Sequence, residues 1–408
     1  MKVPFFRPAI GVRETEAVVE CLQSGWLTTG ERAREFELRF ASFIGAKHAV
    51  AVNSCTAALH LALEAIGLKR GDLVFVPTFT FAATAEVVRY FDAVPVFVDS
   101  DPVSMCMDPQ ALASAIAAVQ SGTAAAGKVA VRGTPRAVIP VHYAGQMADM
   151  APIRSIAARH GLVVIGDAAH ALPADYRENE SSPWQSVGAS ADISCFSFYA
   201  NKCITTGEGG MLVTDRDDWA ERVRVMSLHG MSKDAYKRFM SGGSWYYEIV
   251  APGFKYNLTD IAASIGLCQL DRVHELMDAR REIAAYFSTN LSLVEELEVP
   301  LELQGRRHAW HLYAIRLRLS SLTIDRNQFI DKMIERGVAA SVHWMPLHMH
   351  PYYRDSFGYA AGDFPVAAKV WSETISLPIF PGMTLEERAF VVRVVTDIAR
   401  EHRRTVAA

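Results

Sequence analysis

Between residues 48 and 215 the chain alternates short apolar runs with helical patterns, and this alternation constrains its fold more than any other feature. HAVAV (48–52), DLVFVP (72–77), VPVFVD (94–99), RAVIPVHY (136–143), GLVVIGD (161–167), ADISCFSF (191–198) and GMLVTD (210–215) read as strands. Most are apolar on both faces. Strands of that kind, separated by helices, predict a largely parallel sheet covered on both sides. Ser54 is placed to cap the helix CTAALHLALEAIG, and Gly67 to end it. That helix is apolar nearly all round, which implies burial. AATAEVVRYF and a segment near 149–160 read as further helices.

A chain of 408 residues carries a prior of two or three domains. The alternation loosens beyond about 266, so a large domain is expected over 1–265 and a smaller α+β domain over 266–408. A long helix is predicted over 260–290, with Arg272, Arg280 and Arg281 on its polar side. A closing helix is predicted over 384–402. VQSGTAAAGKVAVRGTP (119–135) breaks the rhythm and reads as a surface insertion.

The net charge is −4, with acids and bases mixed along the chain. No basic face for nucleic acid is expected, though a local basic pocket for an anionic small molecule stays open. No run of 18 apolar residues predicts a membrane span. The opening MKVPFFRPAIGVRETEAV carries charges too early for a secretory leader. The six cysteines are scattered and form no C-x-x-C pair, so reduced thiols in the cytoplasm are expected.

Ligands of open α/β sheets bind at the C-terminal strand ends. The polar residues there are Asn53, Ser54, Thr78, His142, Asp167, Ser197 and Lys202. Asp167 directly follows an apolar strand, where it is either a turn or cap residue or a carboxylate held for a cation. Lys202 lies between CFSFYAN and CITTGEGG, with little polar surface around it. A desolvated lysine has a lowered pKa and becomes a nucleophilic amine. NSCTAALHL places a Ser/Thr turn at a helix start, where free amides and the helix dipole favour phosphate. There is no G-x-G-x-x-G and no Walker-type sequence.

A lysine for an aldehyde, a carboxylate for a ring nitrogen and a helix start for a phosphate together describe a site for pyridoxal 5'-phosphate (PLP). Phe81 is placed to stack on the ring. GEGG (207–210) reads as a tight turn. The histidines of HWMPLHMH (343–350) lack a third ligand at proper spacing, so no metal is expected.

SGWLTTG (24–30), VNSCTAALHLAL (52–63), IPVHYAG (139–145), GDAAHA (166–171), FSFYANKCITTGEGGML (196–212), GFKYNLTDIAASIG (253–266) and PLHMHPYY (346–353) occur in that order. In these motifs the chain resembles the DegT/DnrJ/EryC1/StrS family of PLP-dependent sugar aminotransferases, fold type I. GFKYNLTDI and HAWHLYAIR are most similar to the branch that makes UDP-4-amino-4-deoxy-L-arabinose. The resemblance implies that Lys202 bonds to the cofactor's aldehyde and Asp167 pairs with its ring nitrogen. His170 would lie near its phenolic oxygen and Phe81 on its face. Thr56 and Ala57 would offer amides to the phosphate, and Ser197 its hydroxyl. Asn257 would reach the phosphate across a homodimer interface. Arg7, Trp26, Thr29, Tyr143 and His229 are implied substrate contacts. His308 and His311 flank Trp310, with a sugar contact and a structural role both open, and His308 is the candidate contact. Gly166 and Asn201 depart from the family pattern.

Relatives that dehydrate sugars carry histidine in place of this lysine, so Lys202 favours transamination. The implied activity is transfer of the amine of L-glutamate to a nucleotide-linked keto sugar, most simply a 4-keto sugar. The alternatives are a sugar dehydratase, a cyclitol aminotransferase and a non-enzymatic regulator on the same fold.

Overall fold

The computed structural model describes residues 1–123, 132–232 and 246–404. Its centre is a seven-stranded sheet of β1 (His48–Val52), β2 (Leu73–Pro77), β3 (Val94–Val98), β4 (Pro135–Val138), β5 (Val163–Asp167), β6 (Ile193–Ser197) and β7 (Gly210–Thr214). The order across the sheet is β1-β7-β6-β5-β4-β2-β3. The pairings from β3 through to β6 are parallel, while β7 runs antiparallel to both β6 and β1. This is the mostly parallel sheet that the apolar runs predict.

Helices α1 (Val12–Ser24) and α2 (Glu31–Ile44) precede the sheet, and α3 (Cys55–Ala65), α4 (Ala83–Arg89), α5 (Pro109–Ser121), α6 (Met150–Arg159) and α7 (Asp217–Met226) follow its strands. Ser54 caps α3 as expected, its hydroxyl accepting from the Ala57 amide at 3.0 Å. Residues Cys55 and Ala57–Leu63 of α3 are buried, which matches an all-round apolar helix. Phe40 meets Phe196 at 5.1 Å and Phe36 meets Phe198 at 5.2 Å, clamping β6 onto α2. These aromatics fix the strand that leads into the Lys202 turn.

The expected strand 136–143 is regular only to Val138. Pro140 has no N–H to donate, so the ladder breaks there. Its carbonyl still accepts from Asp167 at 2.9 Å, and His142 donates to the Asp167 carbonyl at 3.1 Å. The ends of the expected insertion 119–135 belong to regular elements, the last turn of α5 and the first residue of β4. Its middle, 124–131, lies outside the described residues.

The long helix expected over 260–290 is two helices, α8 (Asp260–Asp271) and α9 (Val273–Leu291), broken at Arg272. Arg272 turns back to Glu14, with Nη1 to Oε1 at 3.0 Å, and Arg281 pairs with Asp278 at 2.6 Å. Arg280 is not on the polar side. It is 2% exposed, because its face of α9 packs inward. The expected domain boundary at 265/266 falls inside α8, which packs on α1 and α2.

The C-terminal part holds β8 (Leu297–Glu298), β9 (Tyr313–Leu317) and β10 (Thr374–Leu377) as an antiparallel sheet. Around it lie α10 (Arg326–Glu335), α11 (Pro351–Phe357), α12 (Pro365–Glu373) and α13 (Leu385–Glu401). The closing helix starts as predicted: Thr384 and Glu387 form a reciprocal capping box. The N-terminal end joins this part, with Val3 bonded to Gly337 and Ala339. No helix of the described residues is long and apolar enough to cross a membrane.

Candidate active site

Asp167 ends β5 at the C-terminal edge of the sheet and is buried. Its Oδ2 accepts from Thr84 Oγ1 at 2.9 Å, and its Oδ1 accepts from the Ala169 amide at 3.2 Å. Burial pushes its carboxyl above the usual range, against these hydrogen bonds and the nearby Lys202 charge. Among the described residues no cation sits within ion-pair distance of it. A buried carboxylate in that condition has room for a cationic N–H partner.

Lys202 follows β6 through a turn in which its amide bonds to the Tyr199 carbonyl at 2.9 Å. The residue keeps some exposure, but its amine is crowded. Burial lowers its pKa to about 8, against the opposing influence of Cys55, Asp167 and Cys203, and Arg280 adds to the lowering. The nearest side-chain partner is His311, whose Nε2 lies 3.4 Å from Nζ. An amine with this pKa is partly neutral near pH 8 and available as a nucleophile.

A row of rings leads away from Lys202. His311 meets His170 at 4.2 Å, His170 stacks on Trp344 at 4.9 Å, and Trp344 reaches Phe81 at 6.0 Å. His170 is buried and its Nδ1 accepts from the Ala144 amide at 3.3 Å. Phe81 is 57% exposed, so its face is free to meet a ligand ring.

At the start of α3 the Ala57 amide is already bonded to Ser54. That differs from the expectation that Thr56 and Ala57 present the amides. Among the described residues no acceptor meets the Cys55 or Thr56 amides. Gly210 of β7 lies against this turn, where a Cβ would collide with the Ser54 carbonyl. Ser197 Oγ accepts from the Tyr199 amide at 3.3 Å.

The remaining candidates divide. Asn257 is bridged to Val52 beside the entry to α3, yet its side chain donates to Thr29 Oγ1. The Thr29 carbonyl accepts from Trp26 Nε1 at 3.2 Å, so these three cluster together. The side chains of Thr29 and Asn257 bond to Leu258, Lys255 and each other rather than to Lys202. Arg7 pairs with Glu387 at 3.1 Å and lines with Lys202 and Arg280 a small cleft. Asp167, His170 and Phe81 do not line that cleft, so it lies off the ring row. Tyr143 is fully buried and donates to the His343 carbonyl at 2.8 Å. His308 is also buried; its Nδ1 accepts from the Trp310 amide at 2.8 Å and its ring stacks on Trp310. His229 takes a left-handed backbone at φ 59°, with its amide bonded to the Phe254 carbonyl. Among the described residues no group of three or more His, Cys, Asp or Glu is placed to hold a metal.

Thr84, Arg280 and Trp344 were not singled out as site residues from the sequence. Thr84 sits on the first turn of α4 and reads there as an ordinary helix residue. The paired aromatic and histidine in VHWMP was the only signal for Trp344.

Burial lowers the pKa of His60 and His343 to about 4, and of His142 and His308 to about 3. Each is neutral in the folded chain and takes up a proton near pH 6.5 when unfolded. The unfolded state therefore binds more protons below that pH, and stability falls as pH drops from about 6.5 toward 4. Each such histidine contributes up to about 1.4 kcal/mol per pH unit in that window. Denaturant midpoints measured between pH 8 and 4.5 should drop steeply below 6.5. A flat profile there would show that these rings are not neutral and buried.

The donor set fits PLP: an unpaired buried carboxylate for the ring nitrogen, a desolvated amine for the aldehyde, and two open amides for the phosphate. With the sheet order, this defines the class of protein, a PLP-dependent aminotransferase of fold type I. Residues 8–396 match the DegT/DnrJ/EryC1/StrS aminotransferase family, and the chain belongs to it. Its sequence is 42% identical over 401 residues to the spore coat polysaccharide biosynthesis protein SpsC of Bacillus subtilis, covering 98% of this chain and 97% of that protein. The fold is similar to Spr1654 of Streptococcus pneumoniae in its PLP form, with TM-score 0.86 and 29% identity over 98% of this chain and 99% of the other. It is also similar to Helicobacter pylori PseC, an aminotransferase involved in the biosynthesis of pseudoaminic acid. There the TM-score is 0.85 and identity 26%, over 98% of this chain and 100% of the other. The chain is a sugar aminotransferase by family.

Proposed function

We propose that the enzyme moves the amine of L-glutamate to a nucleotide-linked keto sugar, with a 4-keto sugar as the preferred acceptor. The observation that carries this is the Lys202 amine, desolvated and within the field of the unpaired Asp167 carboxylate. Bound PLP supplies a ring that takes up the electrons of a carbon losing its proton. Asp167 would hold the ring nitrogen in its protonated form, and Thr84 would hold Asp167 in place. Lys202 would anchor the aldehyde, then remove and return the proton at the substrate carbon. The Cys55 and Thr56 amides, with Ser197 and Asn257, would take the phosphate. His170 and Phe81 would close on the ring. The amino donor and the sugar would use the site in turn.

SpsC and PseC support a sugar acceptor through the glycan and pseudoaminic acid pathways that their descriptions give. We place the working unit as a homodimer in the cytoplasm. The exposed Phe81 and Tyr199 beside the site are surfaces that a second copy would cover, and the six free cysteines suit a reducing compartment. Arg7, Trp26, Thr29, Tyr143, His229 and His308 are proposed to shape the sugar-nucleotide end, the buried Tyr143 and His308 by positioning their neighbours. We take 1–265 and 266–408 as the large and small domains.

The test is the full chain with PLP, L-glutamate and a panel of nucleotide-linked 3-keto and 4-keto sugars, free keto sugars and keto cyclitols. Amino product from a nucleotide-linked 4-keto sugar, read by mass spectrometry, is the expected result. Reaction of the cyclitols alone, or loss of water without amine gain, would overturn the assignment.

A further inference from the structure

His311 is 4% exposed, with Nε2 3.4 Å from the Lys202 amine. Among the described residues its Nδ1 has no partner. The backbone on both sides of this contact is pinned by Arg280. Its Nη1 donates to the carbonyls of Trp310 (3.3 Å), His311 (3.3 Å) and Ile379 (3.1 Å), and its Nη2 reaches the carbonyl of Asn201 at 3.5 Å. One buried guanidinium thus fixes the residue before Lys202 and the residue facing it. This arrangement binds the loop of the amine to a segment about 110 positions away in sequence, which a merely structural histidine does not require.

We infer that His311 is the positioning residue for the Lys202 amine, accepting a hydrogen bond at Nε2 and holding Nζ in the site whenever that amine is not bonded to the cofactor. This inference rests on Lys202 being the reactive amine. For Nε2 to accept, the imidazole is neutral with its hydrogen on Nδ1. The surroundings keep it so: burial first, then His170, Lys202, Arg280 and His343, all push its pKa well below the ordinary value. The titratable and charged groups facing Lys202 are Cys55, Asp167, His170, Arg280 and His343 from other elements and Cys203 beside it. No proton passes to His311. The neutral amine takes its proton from the substrate carbon and returns it there.

A hydrogen bond from an ammonium is stronger than one from an amine, so the acceptor favours the charged form of Lys202. Removing it lowers the pKa of the lysine. The experiment uses the full chain loaded with pyridoxamine phosphate, in which Lys202 is free. Acylation of Lys202 by an amine-reactive ester is followed from pH 6 to 10 by peptide mass spectrometry. The wild-type midpoint is expected near 8. His311→Phe should lower it by about one pH unit, and His311→Gln, which keeps an acceptor oxygen, should stay near the wild type. His311→Leu repeats the comparison should the phenylalanine variant not fold, and melting temperatures are recorded for each. An unchanged midpoint in folded His311→Phe, or equal shifts in the phenylalanine and glutamine variants, would overturn the inference. A wild-type midpoint near the ordinary lysine value of about 10.4 would instead overturn the reading of Lys202 itself.

Discussion

A Lys202→Ala variant is expected to lose amino transfer by a factor of at least about 10,000 while remaining folded. Two functions leave with the one side chain. The first is the covalent anchor for the cofactor's aldehyde. The second is proton transfer at the substrate carbon, which by itself contributes about 100- to 10,000-fold in enzymes of many kinds. The fold should tolerate the change, because the clamp on β6 comes from Phe36, Phe40, Phe196 and Phe198 and not from the lysine. Formation of 2-oxoglutarate from glutamate, together with the visible absorbance of the PLP-loaded protein, gives the readout. Turnover near the wild-type rate would sink the assignment of the amine.

The second large effect is on stability. Arg280→Met should lower the unfolding free energy by about 3 kcal/mol, read as a shift of the urea midpoint. The variant leaves three buried carbonyls, those of Trp310, His311 and Ile379, and the half-buried one of Asn201 without their shared donor. Each buried acceptor left without a partner costs about 1–3 kcal/mol. The total is reduced because the wild type itself holds a guanidinium with no carboxylate partner among the described residues, which is costly to bury. Arg280→Lys should recover only part, since a shorter side chain with one ammonium replaces both Nη1, which meets three carbonyls, and Nη2, which meets Asn201. Arg280 also helps to keep the Lys202 pKa low, so the methionine variant should raise the Lys202 midpoint. A midpoint in urea equal to wild type would show that these carbonyls find other donors.

The two experiments probe different links of one chain of cause. The lysine does the chemistry at an atom, and the arginine holds the two segments that present it. Their effects should separate cleanly, with Lys202→Ala losing turnover at wild-type stability and Arg280→Met losing stability first.

Local signals carried far in this chain. The seven apolar runs fall on the seven strands of the central sheet, and Ser54 caps α3 where the sequence places the cap. Strand content follows from burial on both faces, which leaves a continuous apolar run in the sequence. The closing helix was legible as well, and the structure shows that the Thr384 capping box starts it. Lys202 and Asp167 stood out because each is a charged residue at an apolar strand end. Arg280 was misread because its charge pointed to solvent. It shares its face of α9 with Leu276, Met277, Ile283, Ala284 and Phe287, and that face is the buried one. The bond from the Ala57 amide to Ser54 was not legible in the sequence, because it forms only once the turn is made.

The order of strands and helices, the mostly parallel sheet and the two charged residues at its edge were written in the local pattern of the sequence. That pattern suffices because burial and capping act over a few residues. The pairing of Lys202 with His311, the link from Thr84 to Asp167 and the inward turn of Arg280 came only with the tertiary structure. Each joins residues about 30 to 110 positions apart, and only packing brings such groups within the few ångströms over which a hydrogen bond or a lowered pKa exists.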